Sequence, residues 1–409
     1  MSPIKFKKIL IAMKGIINLL TRKYSKTNCN RNILLIIEQP GIGDTVLSLN
    51  ALYNFSRLLS QYSECKLYLA ADKNICTFLS NIDSKFTMEL IALDFSLVNK
   101  WNKNSFYSNI EKLNSKKWDT IIFMDKVGIY GKSLLSNLFY NTVVVTEYTL
   151  KNNYFDILYN KLVKNSMVLK FDYRNLLYIH KEMITRVLMK QLGKSCFDNY
   201  IKYKIPGLKI AKNITQGKYC VFSTGISKGH AYQYRVWKLG NYYESIKYIL
   251  AHSDLMVYLV GSSDDIENNN KLYYMFLDES RVINITAQTS FKEWVEVLRH
   301  AEFVFGNDSG YIHLSAMLDT QAFVIAGYWN YGRFLPYEKD TEDIKAPIDI
   351  RTARPVCTLC NVIKHKCKEK RICDAMVKSE GIYKCIDDIT VDDAIAKLEP
   401  FLKKEGLYK

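Results

Sequence analysis

Short apolar runs, each followed by a stretch with helical spacing, recur along most of this chain, and the whole series then starts a second time. Ile33 to Glu38 (ILLIIE) reads as a continuous apolar strand, and Asp44 to Tyr62 as a helix with Val46, Leu47, Leu49, Leu52, Phe55, Leu58 and Leu59 at helical spacing. Lys66 to Asp72 (KLYLAAD) is a second strand, and Leu90 to Asp94 and Asp119 to Asp125 are two more, with helices between them. Strands that are apolar throughout need cover on both faces, so this alternation predicts a parallel sheet between helical layers. The pattern restarts after a basic, Pro-containing connection over residues 201–213, with strands at Tyr219 to Thr224, Leu255 to Gly261, Val282 to Thr286, Phe303 to Asn307 and Ala322 to Ala326. The reading is an α/β chain of two Rossmann-like domains, with parallel sheets facing a central cleft and the carboxyl ends of the strands turned toward it. The 409 residues exceed one ordinary core and fit two domains of roughly 150–200 residues. The expected boundaries are 1–28 for a separate N-terminal segment, 29–205 for the first domain and 206–409 for the second.

The charge balance speaks to partners. There are 57 Lys+Arg against 41 Asp+Glu, a formal net charge of +16, which suits an anionic ligand or surface. The basic residues are spread out, with no run of five or more and no helix-turn-helix, zinc-finger or RNA-binding signature, so nucleic acid is not the expected partner. No stretch reaches the roughly 20 apolar residues of a membrane span and no convincing cleavage site follows the N-terminal segment, so a cytoplasmic protein with reduced thiols is expected. In residues 1–28, Phe6, Ile9, Leu10, Met13, Ile16, Ile17 and Leu20 share one helical face, while Lys7, Lys8, Lys14 and Asn18 lie mainly on the other. That is the pattern of an amphipathic helix resting on an anionic inner-membrane surface, of one packed on its own domain, or of a degenerate signal sequence.

Three strand-to-helix junctions could carry chemistry. In Gln39-Pro40-Gly41-Ile42-Gly43-Asp44-Thr45, Gly41 and Gly43 permit a tight turn, and Asp44 sits where a helix dipole favours a carboxylate, as a helix cap or as a functional acid. Gly41-x-Gly43 with Asp72 ending the next strand also imitates a dinucleotide fingerprint, but position 46 is Val and lacks the third small residue. In Phe305-Gly306-Asn307-Asp308-Ser309-Gly310-Tyr311-Ile312-His313, Ser309 and Gly310 place free amides at a helix start suited to phosphate oxygens. Asp308 can cap that helix or orient a ligand, and His313 lies one turn on, on the face of Ser309. After Tyr219 to Thr224, the polar strand end Ser223-Thr224-Gly225 is followed by Arg235, Trp237 and Lys238, cations that could neutralise a diphosphate.

Together these stretches resemble glycosyltransferase family 9, the heptosyltransferases of lipopolysaccharide core assembly. The resemblance rests on Gly43-Asp44 after the first strand, Arg235-Val236-Trp237 for a K-x-W-like element, Gly261-Ser262-Ser263-Asp264-Asp265 for a Gly-rich strand end with an acid, and Asp308-Ser309-Gly310-Tyr311-Ile312-His313 for D-(S/T)-G-x-x-H. It implies a GT-B fold and an inverting sugar transfer that needs no catalytic cofactor or metal. By the same resemblance Asp44 is the general base, Gly41 and Gly43 shape its loop, and Thr224, Arg235, Lys238, Asp264, Asp308, Ser309, Gly310 and His313 hold the donor. The implied donor is a nucleotide sugar, ADP-heptose first, and the acceptor an anionic lipopolysaccharide-core glycolipid or related surface glycan. The chain departs from the family in having Arg235 for Lys before the Trp, Lys238 for Pro after it, and Gly327-Tyr328-Trp329 where G-P-T is common. Those departures keep open a catalytically silent sugar-nucleotide or glycan-binding protein, and a nucleotide-sugar epimerase on the same scaffold.

Ten cysteines are present; Cys29, Cys65, Cys76, Cys196 and Cys220 are scattered and the other five fall within 357–385. The spacing Cys357-x2-Cys360-x6-Cys367-x5-Cys373, with His365 nearby, would permit a tetrahedral structural zinc; the plainer reading is a thiol cluster, or disulfides formed after purification.

Overall fold

The computed structural model describes residues 31–38, 41–61, 65–82, 88–94, 103–124, 129–147, 166–170, 175–192, 203–208, 210, 214–225, 236–328, 332, 334–337, 345–352 and 381–409. The chain divides into two compact units, Met1–Tyr203 and Lys204–Lys409, with the break two residues before the one expected from the sequence. The N-terminal segment 1–28, Arg235, Trp329, His365 and Cys357, Cys360, Cys367 and Cys373 lie outside the described residues.

Unit 1 runs β1 (Arg31–Ile36), α1 (Ile42–Leu59), β2 (Cys65–Asp72), α2 (Lys73–Ile82), β3 (Glu89–Leu93), α3 (Lys103–Asn114), β4 (Trp118–Phe123), α4 (Ile129–Leu135), β5 (Tyr140–Glu147), β6 (Ser166–Lys170) and α5 (Leu176–Leu192). All six strands are parallel, in the order β3-β2-β1-β4-β5-β6. The central strand shows why the apolar run is unbroken: Ile33 to Ile36 are all fully buried, with Ile33 in register with Leu67 on one side and Thr120 on the other. β2 passes into α2 without a loop, because Asp72 Oδ1 accepts the Asn74 N–H at 2.9 Å and satisfies a first-turn donor. Asp72 thus serves as a helix-start acceptor, which removes it from the dinucleotide reading. Trp118 is fully buried, donates Nε1–H to the Leu113 carbonyl at 2.9 Å and packs edge-on to Tyr68, fixing α3 against β4.

Unit 2 runs β7 (Tyr219–Ser223), α6 (Leu239–His252), β8 (Met256–Leu259), a 3-10 turn Ser263–Asp265, α7 (Ile266–Tyr274), β9 (Val282–Asn284), α8 (Phe291–Arg299), β10 (Phe303–Asn307), α9 (Gly310–Met317), β11 (Gln321–Ile325), β12 (Ile348–Ile350), α10 (Lys384–Asp387) and α11 (Val391–Lys404). Its sheet is also parallel, in the order β12-β11-β10-β7-β8-β9. Counted from each unit's first strand, both sheets have the order 3-2-1-4-5-6 of a doubly wound nucleotide-binding fold. Capping boxes open several elements: Ser262 with Asp265, Ser290 with Glu293 and Thr390 with Asp393, each worth about 1 kcal/mol. The core is aromatic. Phe222 stacks on Phe305 at 4.9 Å, and Phe401 of α11 meets Phe303 and Phe323 edge-on. Trp237 is almost fully buried and donates Nε1–H to the Ile389 carbonyl at 2.8 Å, tying the segment before α6 to the C-terminal helices.

Three strands differ from the sequence reading by their presence: β5, β6 and β12. β12 has only three residues, at a sheet edge, too short for a period to show. The first helix also begins at Ile42, two residues before Asp44, with Gly41 as its N-cap.

Candidate active site

In an open doubly wound sheet the crossover direction reverses between the first and fourth strands, and the loops above their carboxyl ends splay apart there. In unit 1 that point lies between β1 and β4, and in unit 2 between β7 and β10. Several of the residues singled out from the sequence lie at these two places.

In unit 1, β1 runs out through Ile37, whose N–H bonds the Ala70 carbonyl, to Glu38. Gly41 then caps α1, and its carbonyl accepts from both the N–H and the hydroxyl of Thr45 at 3.2 and 3.1 Å. Asp44 is therefore a first-turn residue and not the N-cap. Its carboxylate folds back over Gly41, where a Cβ would stand 2.7 Å from Oδ2, and Oδ1 is shielded from solvent. The glycine is required for space: it lets the acid lie along the helix start, where first-turn amides favour an anion. A second carboxylate borders the same point, since Glu38 Oε1 accepts the Gly131 N–H at 3.1 Å in the first turn of α4. Glu38 had no role in the sequence reading. Its signal was its place at the end of an apolar strand.

In unit 2, β10 ends at Asn307 and α9 begins at Gly310, with Ser309 as N-cap. The Ser309 hydroxyl is buried beside that of Tyr311 but makes no hydrogen bond of ordinary geometry among the described residues. It leaves the first-turn amides of α9 uncapped by a side chain, which is the condition for binding an anion there. Tyr311 donates to the Ser223 and Asn307 carbonyls at 3.0 and 3.2 Å, joining the ends of β7 and β10. Burial pushes its phenol well above the usual range, so the donor proton stays in place. Gly306 makes this possible: a Cβ there would lie 1.9 Å from the Tyr311 hydroxyl and 2.3 Å from the Ser223 carbonyl.

The end of β7 is closed by a buried network. Thr224 is fully buried, donates its hydroxyl to Asn269 Oδ1 at 2.6 Å, and accepts at its carbonyl from Asn307 Nδ2 at 2.6 Å. Asn269 in turn donates to the Val260 carbonyl and the Thr286 hydroxyl. Asn307 Oδ1 takes the Trp237 N–H at 3.1 Å. Thr224 is thus a joint of the scaffold. Asp264 is exposed and donates its N–H to Ser262 Oγ, whereas its neighbour Asp265 is buried against Gly225 and Gly261 and accepts from the Ser262 N–H and hydroxyl. Lys238 is exposed and pairs with Asp387 at 2.6 Å. His313 is 3% exposed; its Nδ1 meets the Tyr337 hydroxyl at 2.8 Å and its Nε2 lies 3.7 Å from Asp308 Oδ1.

So the structure brings Thr224, Asp308, Ser309, Gly310 and His313 to one switch point, and Gly41, Gly43 and Asp44 to the other. Asn269, Asn307, Tyr311 and Tyr337 were missed as functional. Asn269 did carry a signal, being a poor helix former inside α7. The rest owe their roles to partners distant in sequence. Of the C-terminal thiols, Cys385 is described: it is buried in α10, against Gly327. Among the described residues no group of His, Cys, Asp and Glu could hold a metal, and no helix is long and apolar enough to cross a membrane.

Residues 173–355 match the model of glycosyltransferase family 9 (heptosyltransferase), a span that contains the unit 2 switch point and stops short of Asp44. No curated protein sequence matches the chain. Among solved structures, similarity extends to the Escherichia coli ADP-heptose LPS heptosyltransferase II (TM-score 0.60, 16% identity, 91% of this chain and 99% of that one). It extends also to the E. coli heptosyltransferase WaaC solved with ADP (0.61, 16%, 90% and 99%) and to a family 9 glycosyltransferase from Veillonella parvula (0.62, 14%, 92% and 99%). At these identities the structural likeness speaks for the fold, which is GT-B. With the family match over residues 173–355 and the paired doubly wound units, the chain is similar to glycosyltransferase family 9 over that span, on a GT-B fold.

Proposed function

We propose that the chain transfers a sugar, heptose first, from a nucleoside-diphosphate donor to a lipopolysaccharide-core or related surface-glycan acceptor, with inversion and without a catalytic metal. In this reading Asp44 takes the proton from the acceptor hydroxyl as it attacks, a contribution of about 10²–10⁴-fold. Ser309, Gly310 and the first-turn amides of α9 meet the donor diphosphate, and Asp308 meets a donor hydroxyl. The fixed amides, with Arg235 and the other basic residues after β7, stabilise the charge that develops on the leaving nucleotide. The observation that carries the reading is the placement of the Asp44 and Asp308–Gly310 turns at the switch points of two sheets with one strand order. ADP is the first donor nucleotide because the similar E. coli proteins are described with ADP-heptose and with ADP. The net charge of +16 favours an anionic glycolipid, reached from the cytoplasmic face of the inner membrane. Residues 1–28 are the proposed membrane contact, and Cys357, Cys360, Cys367 and Cys373 the proposed zinc ligands, structural and apart from the chemistry.

A thermal-shift series with ADP, UDP, GDP and CMP tests the donor side, since a ligand at about 100 times its Kd adds about 2.7 kcal/mol. It is followed by transfer from the matching heptose and hexose nucleotides to extracted acceptor glycolipid, with and without EDTA. The expected result is stabilisation by ADP and EDTA-insensitive transfer with inverted configuration. Binding without transfer would leave a silent sugar-nucleotide-binding protein, and a changed nucleotide sugar formed without acceptor would make the chain an epimerase.

A further inference from the structure

His313 is nearly sealed from solvent, and two aromatic rings from the segment 334–337 lie against it. Tyr337 is parallel to it within 15° at 5.9 Å, and Phe334 is tilted at 6.1 Å. The Tyr337 hydroxyl has one hydrogen-bond partner among the described residues, His313 Nδ1 at 2.8 Å. A buried phenol must donate its proton or lose a hydrogen bond outright, and the acceptor within reach is the Nδ1 lone pair. Burial, and then the nearby charge of Asp308, push that phenol far above its usual range, so it keeps the proton. Nδ1 is therefore an acceptor, and the single proton of the neutral ring sits on Nε2, the nitrogen 3.7 Å from Asp308 Oδ1. That separation is longer than a hydrogen bond but well within reach of a dipole acting on a carboxylate.

We infer that Tyr337 is a positioning residue: by donating to His313 Nδ1 it fixes the imidazole tautomer and points the Nε2–H at Asp308, setting the carboxylate that reads a hydroxyl of the nucleotide sugar. The inference rests on the donor-site reading of the Asp308–Gly310 turn and adds to it a group that touches no substrate. The opposite tautomer would aim a lone pair at the carboxylate and repel it. Tyr337 belongs to no sequence motif, and its segment is held by Arg351, which donates to the Ala326, Gly327 and Leu335 carbonyls and lies over the Tyr328 ring. The ends of β11 and β12 thus hold Tyr337 in place, and through it the orientation of Asp308.

The test reads the imidazole directly. With 15N-labelled histidine, the ring signals of the six histidines are recorded near neutral pH, and His313 is assigned by the signal lost in His313→Gln. The expected result is a neutral His313 protonated on Nε2 in the full-length protein, and in Tyr337→Phe a shift to the Nδ1–H form or to imidazolium. Tyr337→Phe should also lower kcat/KM for the nucleotide sugar by about 5- to 10-fold, while ADP affinity changes by less than about two-fold, because the diphosphate amides are untouched. A wild-type His313 protonated on Nδ1, or a Tyr337→Phe protein with unmoved ring signals and unchanged kcat/KM, overturns the inference. Asp308→Asn separates it from the reading beneath: full transfer activity there would remove Asp308 from donor recognition, whatever the tautomer of His313.

Discussion

In unit 1 the turn after the first strand presents carboxylates, Asp44 folded over Gly41 and Glu38 on the first turn of α4, whereas in unit 2 the end of the first strand is sealed by side-chain amides and hydroxyls. There the open groups have moved to the fourth strand, where Ser309 leaves the start of α9 uncapped. The strand order is the same in both. The comparison teaches that the doubly wound sheet supplies a place, and that one or two residues above it decide whether the place suits a base or an anion. In family terms the carboxylate unit is the proposed acceptor side and the amide unit the proposed donor side.

The largest effect that could break this division is at Asp44. Asp44→Asn keeps the shape and removes the base, so transfer should fall by about 10²–10⁴-fold while ADP-induced stabilisation stays at the wild-type level. Initial rates and thermal shifts measured on one preparation decide it, and an active Asp44→Asn enzyme would return Asp44 to a helix-start role.

The paired glycines sharpen the comparison next. In Gly306→Ala the new methyl meets the Tyr311 hydroxyl at 1.9 Å and the Ser223 main chain at 2.3 Å, neither of which can yield. Unit 2 should lose more than about 4 kcal/mol. In Gly41→Ala the obstacle is the end of a side chain, Asp44 Oδ2 at 2.7 Å, so folding should change by about 1 kcal/mol or less and transfer should fall as the carboxylate is displaced. Denaturant unfolding alongside rates would show the two substitutions failing in different ways; similar losses of stability would contradict the close-packed account of Gly306.

Asn269→Ala comes third. It strips the Thr224 hydroxyl, the Val260 carbonyl and the Thr286 hydroxyl of a shared partner, at about 1–3 kcal/mol. The loss should appear in the unit 2 unfolding transition and as weaker ADP binding, with no change in unit 1 hydrogen exchange.

The smallest expected effect is alkaline. Burial raises the phenols of Tyr242, Tyr311 and Tyr337 above their ordinary range and takes Tyr219 to about 12. A pKa raised by folding means that the stabilising proton is held fully below the unfolded value of about 10 and that its contribution fades as pH climbs through the folded value. Unit 2 should therefore weaken from about pH 10 upward, over the window to about 12 for Tyr219. Tyr219→Phe, which gives up the bond to the Val297 carbonyl, should flatten that part of the pH–stability curve; an unchanged curve would place the alkaline loss elsewhere.

The amino-acid sequence by itself determined the two parallel sheets, because strands such as Ile33 to Ile36 and Phe303 to Asn307 can only be buried on both faces, and a continuous apolar run says so locally. It also determined where the chemistry-bearing turns begin, since glycines and small polar residues between a strand and a helix are local signals. It did not reveal β12, whose three residues take their strand form from pairing with β11. Nor did it tell which polar residues hold the scaffold and which remain open. Thr224 and Asp264 read alike as site residues, but the first is buried by Asn269, 45 positions away, and the second is exposed. Lys238 read as a phosphate cation and is paired with Asp387, and His313 read as a ligand group and is locked by Tyr337. A residue's type and its near neighbours fix what it can donate or accept; only the tertiary structure decides which partner takes it, because hydrogen bonds and burial are settled by proximity in space.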